Sequence, residues 1–215
     1  MVARMVLPLT FLFAGLRAEI IDRVAVTLDN QVITESEILR EIRLTAFLNG
    51  DPLDFSPEVK RKAAARLIEQ KLIRKEIELG RYTEPNPAET ESSLRDIQIK
   101  RFPSAREYRE ALEKYGVTEK DLKAHLAWQI TLLRFIDARF RPGIQVSDDE
   151  VRRYFEKHLP ELEKQAGPAN QVHFEDVRGR IEEALINQRV DKELNDWLDE
   201  TRKRAHIQLR QEAFQ

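Results

Sequence analysis

A short hairpin that runs directly into a capped helix, Val24 to Ile42, constrains this sequence more than any other stretch. Val24, Val26 and Leu28 alternate with Ala25 and Thr27 in the period-2 pattern of a strand, and Val32 and Ile33 resume it after Asp29-Asn30. Asp and Asn tolerate positive φ, so this pair suits a tight two-residue turn. Thr34 with Glu37 three residues on is a capping box that opens a helix carrying Ile38, Leu39 and Ile42. A lone hairpin is marginal in water and needs a further strand or helix against it. The other credible strand is at the far end, His206 to Arg210, so the chain is expected to close on itself.

Between these ends the sequence reads as helices. Asn49-Gly50-Asp51-Pro52 breaks the first near Leu48, Ser56 caps a second with Pro57 at its first position, and Gly80 occupies the place of a C-terminal glycine. Val59, Ala63, Leu67 and Ile77 line one side of that helix, while Ile68, Leu72 and Leu79 line the other, so it should be sandwiched between neighbours. Asn86-Pro87 starts a third helix that ends before Phe102-Pro103. Ser104 with Glu107 opens a short one that stops at Gly116, and Thr118 with Asp121 opens a long one reaching about Phe140. Ser147 with Glu150 opens a further helix ending near His158, and Leu159 to His173 reads as a linker. The final helix, Phe174 to Ala205, would be ~48 Å long if unbroken. Its apolar stripe passes from Val177, Ile181 and Leu185 to Val190, Leu194, Trp197 and Leu198 on a nearly opposite side, so it either contacts two bodies or kinks near Gly179 or Asn187.

Composition narrows the function classes. The 36 Lys and Arg are balanced by 38 Asp and Glu, which argues against a nucleic-acid binder. With no Cys there is no disulfide, thiolate metal site or thiol nucleophile. His125, His158, His173 and His206 fall on different elements without metal-ligand spacing, no phosphate loop, dinucleotide fingerprint or nucleophile elbow occurs, and no cofactor is expected. Carboxylate pairs such as Asp148-Asp149 and Glu182-Glu183 fit helix-dipole complements or solvated faces better than acid/base chemistry.

Met1 to Ala18 has one basic residue, Arg4, followed by an apolar run to Leu16, too short for a membrane span and of the form of a secretory signal peptide. Ala18 suits the cleavage rule while Leu16 departs from it; the alternative is an uncleaved amphipathic start. No stable membrane insertion is expected after cleavage.

The residues Ile21 to Ile42, with Ile33-Thr34-Glu35-Ser36-Glu37-Ile38 entering the first helix, resemble the opening of the SurA-type periplasmic chaperones. Glu107 to Lys123 is similar to that family's short helix ending at glycine before a capped one. Val146 to His158 resembles its lead-in to a parvulin-type peptidyl-prolyl isomerase domain, and His206 to Arg210 its returning C-terminal strand. Together the matches cover most of residues 20–158. A departure follows: only Leu159 to Val172 stands where a parvulin domain would, and domains rarely run below ~50 residues. The resemblance implies a mainly α fold with a small antiparallel sheet, divided as signal peptide 1–18, chaperone domain 19–158, linker 159–173, and a C-terminal helix and strand 174–215 completing that domain. It implies an ATP-independent holdase in the periplasm, binding unfolded polypeptides such as outer-membrane protein precursors, and not an enzyme. Two other classes stand beside it: a peptidyl-prolyl isomerase, disfavoured by the missing domain, and a structural adaptor that forms a homodimer by exchanging its C-terminal segment.

The long helix from Thr118 has a main stripe of Leu122, Leu126, Leu133, Ile136 and Phe140, and a second of Trp128, Leu132 and Phe135 displaced by more than about 90°. The second stripe has two readings. It is either core, against which Trp197 or Leu198 packs, or the lining of a groove for an extended apolar peptide.

Overall fold

The computed structural model describes residues 22–80, 82, 85–166 and 172–215. The expected signal segment Met1 to Ala18 and the Gly167 to Asn170 part of the expected linker lie outside the described residues.

The hairpin forms as its alternation requires: β1 (Val24–Leu28) and β2 (Gln31–Thr34) pair antiparallel, with Asp29 in the left-handed region at φ 50°. Thr34 and Glu37 make the reciprocal capping box of α1 (Glu35–Asn49), which ends on Gly50 at φ 78°. The third strand is the distal one. β3 (Ile207–Leu209) lies antiparallel along the free side of β1, giving the order β2-β1-β3 with Leu28 opposite Ile207 and Val26 opposite Leu209.

One face of this sheet lies on α1 and α2 (Pro57–Gly80), in a core of Val26, Leu28, Ile33, Ile38, Ile42, Ala63, Ala64, Ile68 and Leu72. A short 3₁₀ helix after β3, Gln211–Phe214, drives Phe214 into the same core at 1% exposure; no sequence signal marked it. The Asp29 carboxylate accepts the His206 N–H at 2.8 Å while the Asp29 N–H donates to the His206 carbonyl at 2.9 Å, so the turn that starts the fold also fastens its far end.

α3 (Pro87–Arg101), α4 (Ala105–Tyr115) and the first half of α5 (Glu119–Arg139) form a second core with the other face of α1, around Phe47, Leu94, Tyr108, Tyr115, Leu122 and Leu126. Asn86 and Glu89 complete a capping box on α3, and Gly116 closes α4 at φ 63°. The end of α5 packs with α2 and the last helix in a third core, and α6 (Asp148–Ala166) with the start of α7 (Phe174–Arg204) makes a fourth.

Three expectations change. The α6 helix does not end at His158 but runs through Pro160 to Ala166, so the first half of the expected linker is helical. Pro160 is exposed, which lets water take the carbonyl its missing N–H leaves open, and Leu162 continues the stripe of Val151, Tyr154 and Phe155 into the fourth core. Gly80 is the last residue of α2 and not a left-handed cap; an added Cβ there would fall on the Tyr82 ring, so close approach explains the glycine. Leu79 and Leu133, assigned to buried stripes, are exposed. The α7 alternative resolves towards two bodies: the helix is continuous, with Val177 and Ile181 against α6 and Trp197 and Leu198 against α2 and α5.

Truncating Phe214 to alanine should therefore cost about 3–5 kcal/mol, the usual range for a buried Phe, measured by urea denaturation. A loss below about 1 kcal/mol would show that the C-terminal plug is dispensable to the sheet core.

Candidate functional site

Helix α5 is gripped at both ends. Leu122 and Leu126 hold its start in the second core, and Phe135 holds its end in the third, ringed by Tyr82 at 5.1 Å, Phe140 at 5.8 Å and Trp197 at 5.8 Å between ring centres. Between these grips its face towards α1 and α2 carries His125, Trp128, Gln129 and Leu132, and the three helices stand apart around a hollow of about 390 Å³. Leu48, Ile73, Trp128 and Leu132 supply its apolar wall, and Thr45, Asn49, Gln70 and Gln129 supply hydroxyl and amide groups.

Trp128 and Leu132, two residues of the second stripe, meet at this hollow. Trp128 is 6% exposed, with the Arg74 guanidinium over its ring, 3.9 Å from the ring centre, and Leu132 is half-buried. Phe135 has no exposure and is a core contact for Trp197, and the whole stripe joins the third core: Trp128 and Phe135 are buried in it with Ile73, and Leu132 packs against it. Sequence reasoning missed Glu41, Gln70 and His125. Glu41 lies three residues from Ile38 and His125 three from Leu122, so each is a polar side chain interrupting an apolar face.

The charges around the hollow are already matched. Glu41, 6% exposed, pairs with Arg66 Nε at 3.2 Å, and Glu69 pairs with Arg202 at 2.6 Å. Glu41, Gln70, His125 and Trp128 also line a second hollow of about 190 Å³, where Glu37 pairs with Lys71 at 3.4 Å and Arg40 with Asp121 at 3.7 Å. Burial holds the His125 imidazole below the ordinary histidine range, against a smaller upward pull from Glu41.

The first hollow presents apolar surface interleaved with neutral hydrogen-bonding groups, in a space open to solvent whose charged lining residues, Glu41, Arg66 and Glu69, are all paired. The described residues hold no cluster of three or more His, Cys, Asp or Glu able to bind a metal, and no helix among them is long and apolar enough to cross a membrane.

Helices gathered on a hairpin whose third strand comes from the C-terminal end make up the fold of the SurA-like chaperones. A solved SurA-like chaperone of Campylobacter jejuni, from the structurally related pair PEB4 and Cj1289, superposes with a TM-score of 0.52 over 88% of this chain and 99% of its own, at 11% identity. In sequence the chain is 24% identical over 154 residues to the chaperone SurA of Pseudomonas aeruginosa, covering 70% of this chain and 37% of that protein. It is 30% identical over 80 residues to a chaperone for lacto-N-biosidase of Bifidobacterium longum, covering 36% and 28% respectively. The matches thus span about a third of the length of these curated relatives. No protein-family profile matches the chain. The resemblance to SurA-type chaperones holds in sequence and fold alike.

The His125 shift fixes the sign of a pH effect. The unfolded chain takes up this proton near pH ~6.5 while the folded chain resists it to lower pH, so stability is greatest above ~6.5 and declines as pH falls through the folded value. Urea midpoints of wild type and His125→Gln should diverge in their change between pH 7.5 and 5.5, with the smaller decline in the variant. Parallel declines would assign the acid sensitivity to other groups.

Proposed function

We propose that this protein is an ATP-independent chaperone that holds unfolded polypeptides, with outer-membrane protein precursors as the client class, in the periplasm. The observation that carries this reading is the hollow between α1, α2 and α5: apolar walls, amide and hydroxyl groups between them, and charges already committed to one another. A nucleotide or nucleic acid would require cations left free for phosphate. A neutral stretch of extended chain requires apolar contact and scattered hydrogen-bond partners, which these residues offer. The names of the relatives, chaperones all, agree with this use of the fold. The signal-like Met1 to Ala18 supports export, and the short α6–α7 connection in place of a parvulin domain supports a binding protein without isomerase activity.

The pure protein should suppress aggregation of an unfolded outer-membrane β-barrel without nucleotide, and should not accelerate a proline-limited refolding reaction. Thr45→Glu with Gln129→Glu, which puts uncompensated charge on facing walls, should weaken suppression severalfold with little change in melting temperature. Undiminished suppression by that variant would move the client site elsewhere. Export is checked separately: N-terminal sequencing of the envelope form should begin near Glu19, and an intact Met1 would rule cleavage out.

A further inference from the structure

Glu41, Gln70, His125 and Trp128 each line both hollows between α1, α2 and α5, so they stand where the two spaces adjoin. His125 is the member of this group able to gain or lose a proton near neutrality. The charged groups facing it are Glu37, Arg40 and Glu41 from α1, Arg66, Glu69 and Arg74 from α2, and Asp121 from its own helix. The four carboxylates are engaged: Glu41 with Arg66, Glu37 with Lys71, Glu69 with Arg202, and Asp121 with Arg40. The Arg74 guanidinium sits over the Trp128 ring, its central carbon 3.9 Å from the ring centre. Burial opposes an imidazolium at this position, and the opposing pull of Glu41, already paired with Arg66, is the smaller.

Water in the two hollows is what a charged imidazole would rely on. An apolar segment that fills either hollow removes that water and leaves the neutral ring as the better-tolerated form. Resting on the reading of these hollows as the client site, we propose that His125 makes client binding proton-linked: the neutral imidazole is the binding-competent form, and capture weakens as it protonates in mildly acidic solution. Linkage is reciprocal, so a bound client must also make His125 harder to protonate. The direction of the His125 shift in the free protein agrees with this, since partial burial already disfavours its charged form.

The test uses the whole protein and a 20-residue peptide of Leu, Tyr, Ser and Gln, capped at both ends, which carries no group titrating between pH 5 and 8. Calorimetry across that range should show the wild-type affinity falling on acidification, by at most ~10-fold per pH unit for one linked proton. The His125→Gln protein should show a clearly shallower dependence. Independently, the His125 ring signal in NMR spectra, assigned by its loss in the variant, should titrate at lower pH when the peptide is saturating than when it is absent. This second measurement stands even if the variant is poorly folded. Binding at pH 7.5 with equal pH dependence in both proteins, or a His125 titration unmoved by saturating peptide, would overturn the inference alone. Failure of the peptide to bind at pH 7.5, or binding that leaves the signals of the hollow residues unmoved, would overturn the client-site reading and this inference with it.

Discussion

The rest of the structure depends on the pairing of β1 with β3. β1 lies between two neighbours, one reached through a two-residue turn and the other some 180 positions along the chain, as the Asp29–His206 hydrogen bonds record directly. All seven α-helices of the described residues lie between those partners in sequence. Such closure is entropically slow, because a long loop must be drawn in before the contact rewards it. What makes it favourable is density at the seam: Phe214 and Ala213 enter the core that β1, α1 and α2 have built, and Ile207 packs against it. The Asp29 carboxylate is held below its usual range first by the His206 N–H and then by Lys75. Acid that protonates this carboxylate, at a pH below its unfolded value of ~3.9, therefore removes its share of the clasp.

Closure at the sheet permits looseness elsewhere. Protein interiors ordinarily collapse around voids, and uncollapsed space is destabilising. Here α5 is held by Leu122 and Leu126 in one core and by Trp128 and Phe135 in another that includes Ile73 of α2, and a hollow remains beside Trp128 and Leu132. The gap that remains is wide enough to admit water, and the residues beside it suit a wet boundary: Glu41 with its arginine, Gln70, His125 and Gln129. A fully apolar seam would have favoured closing up. A seam of unpaired charges would have demanded ions. The mixture found there leaves a surface that a neutral polypeptide can replace water on at little electrostatic cost.

How much of this was legible follows from which interactions are local. The hairpin, the Thr34 capping box, the helix starts at Ser104, Thr118 and Ser147 and the glycine end of α4 are encoded within a few residues, and each is where its pattern places it. Pairing of β3 with the hairpin was also readable, because an unpartnered hairpin has so few ways to be completed. Gly80 misled because its reason is Tyr82 pressed against it, a contact that glycine statistics for helix ends do not encode. Pro160 misled because a breaker was weighed above the stripe that Leu162 continues. The candidate site was half visible. Trp128, Leu132 and Phe135 stood out as a second apolar stripe, and all three join the third core, with Trp197 of α7 at 5.8 Å from Phe135. That Trp128 and Leu132 also border a hollow depends on how α1 and α2 stand beside α5, which the stripe does not encode.

The position of α7 also bears on how such a fold varies. Its second half serves the body of the molecule through Trp197 and Leu198, while its first half makes a satellite core with α6 around Val151, Val177 and Ile181. Arginines brace the junction: Arg141 donates to Glu183 at 2.6 Å and to Asn187 at 3.2 Å, and Arg189 reaches the Gln145 carbonyl and Glu150. The α6–α7 connection falls between Ala166 and Val172 in the sequence and contributes none of the residues of this brace. An insertion there would leave the β1–β3 closure and the window beside α5 undisturbed, since neither takes a residue from it. The resemblance places a parvulin domain at this point in the better-known relatives. A chain with only a short connection between Ala166 and Val172 can therefore keep the β1–β3 closure and the hollow beside α5 intact.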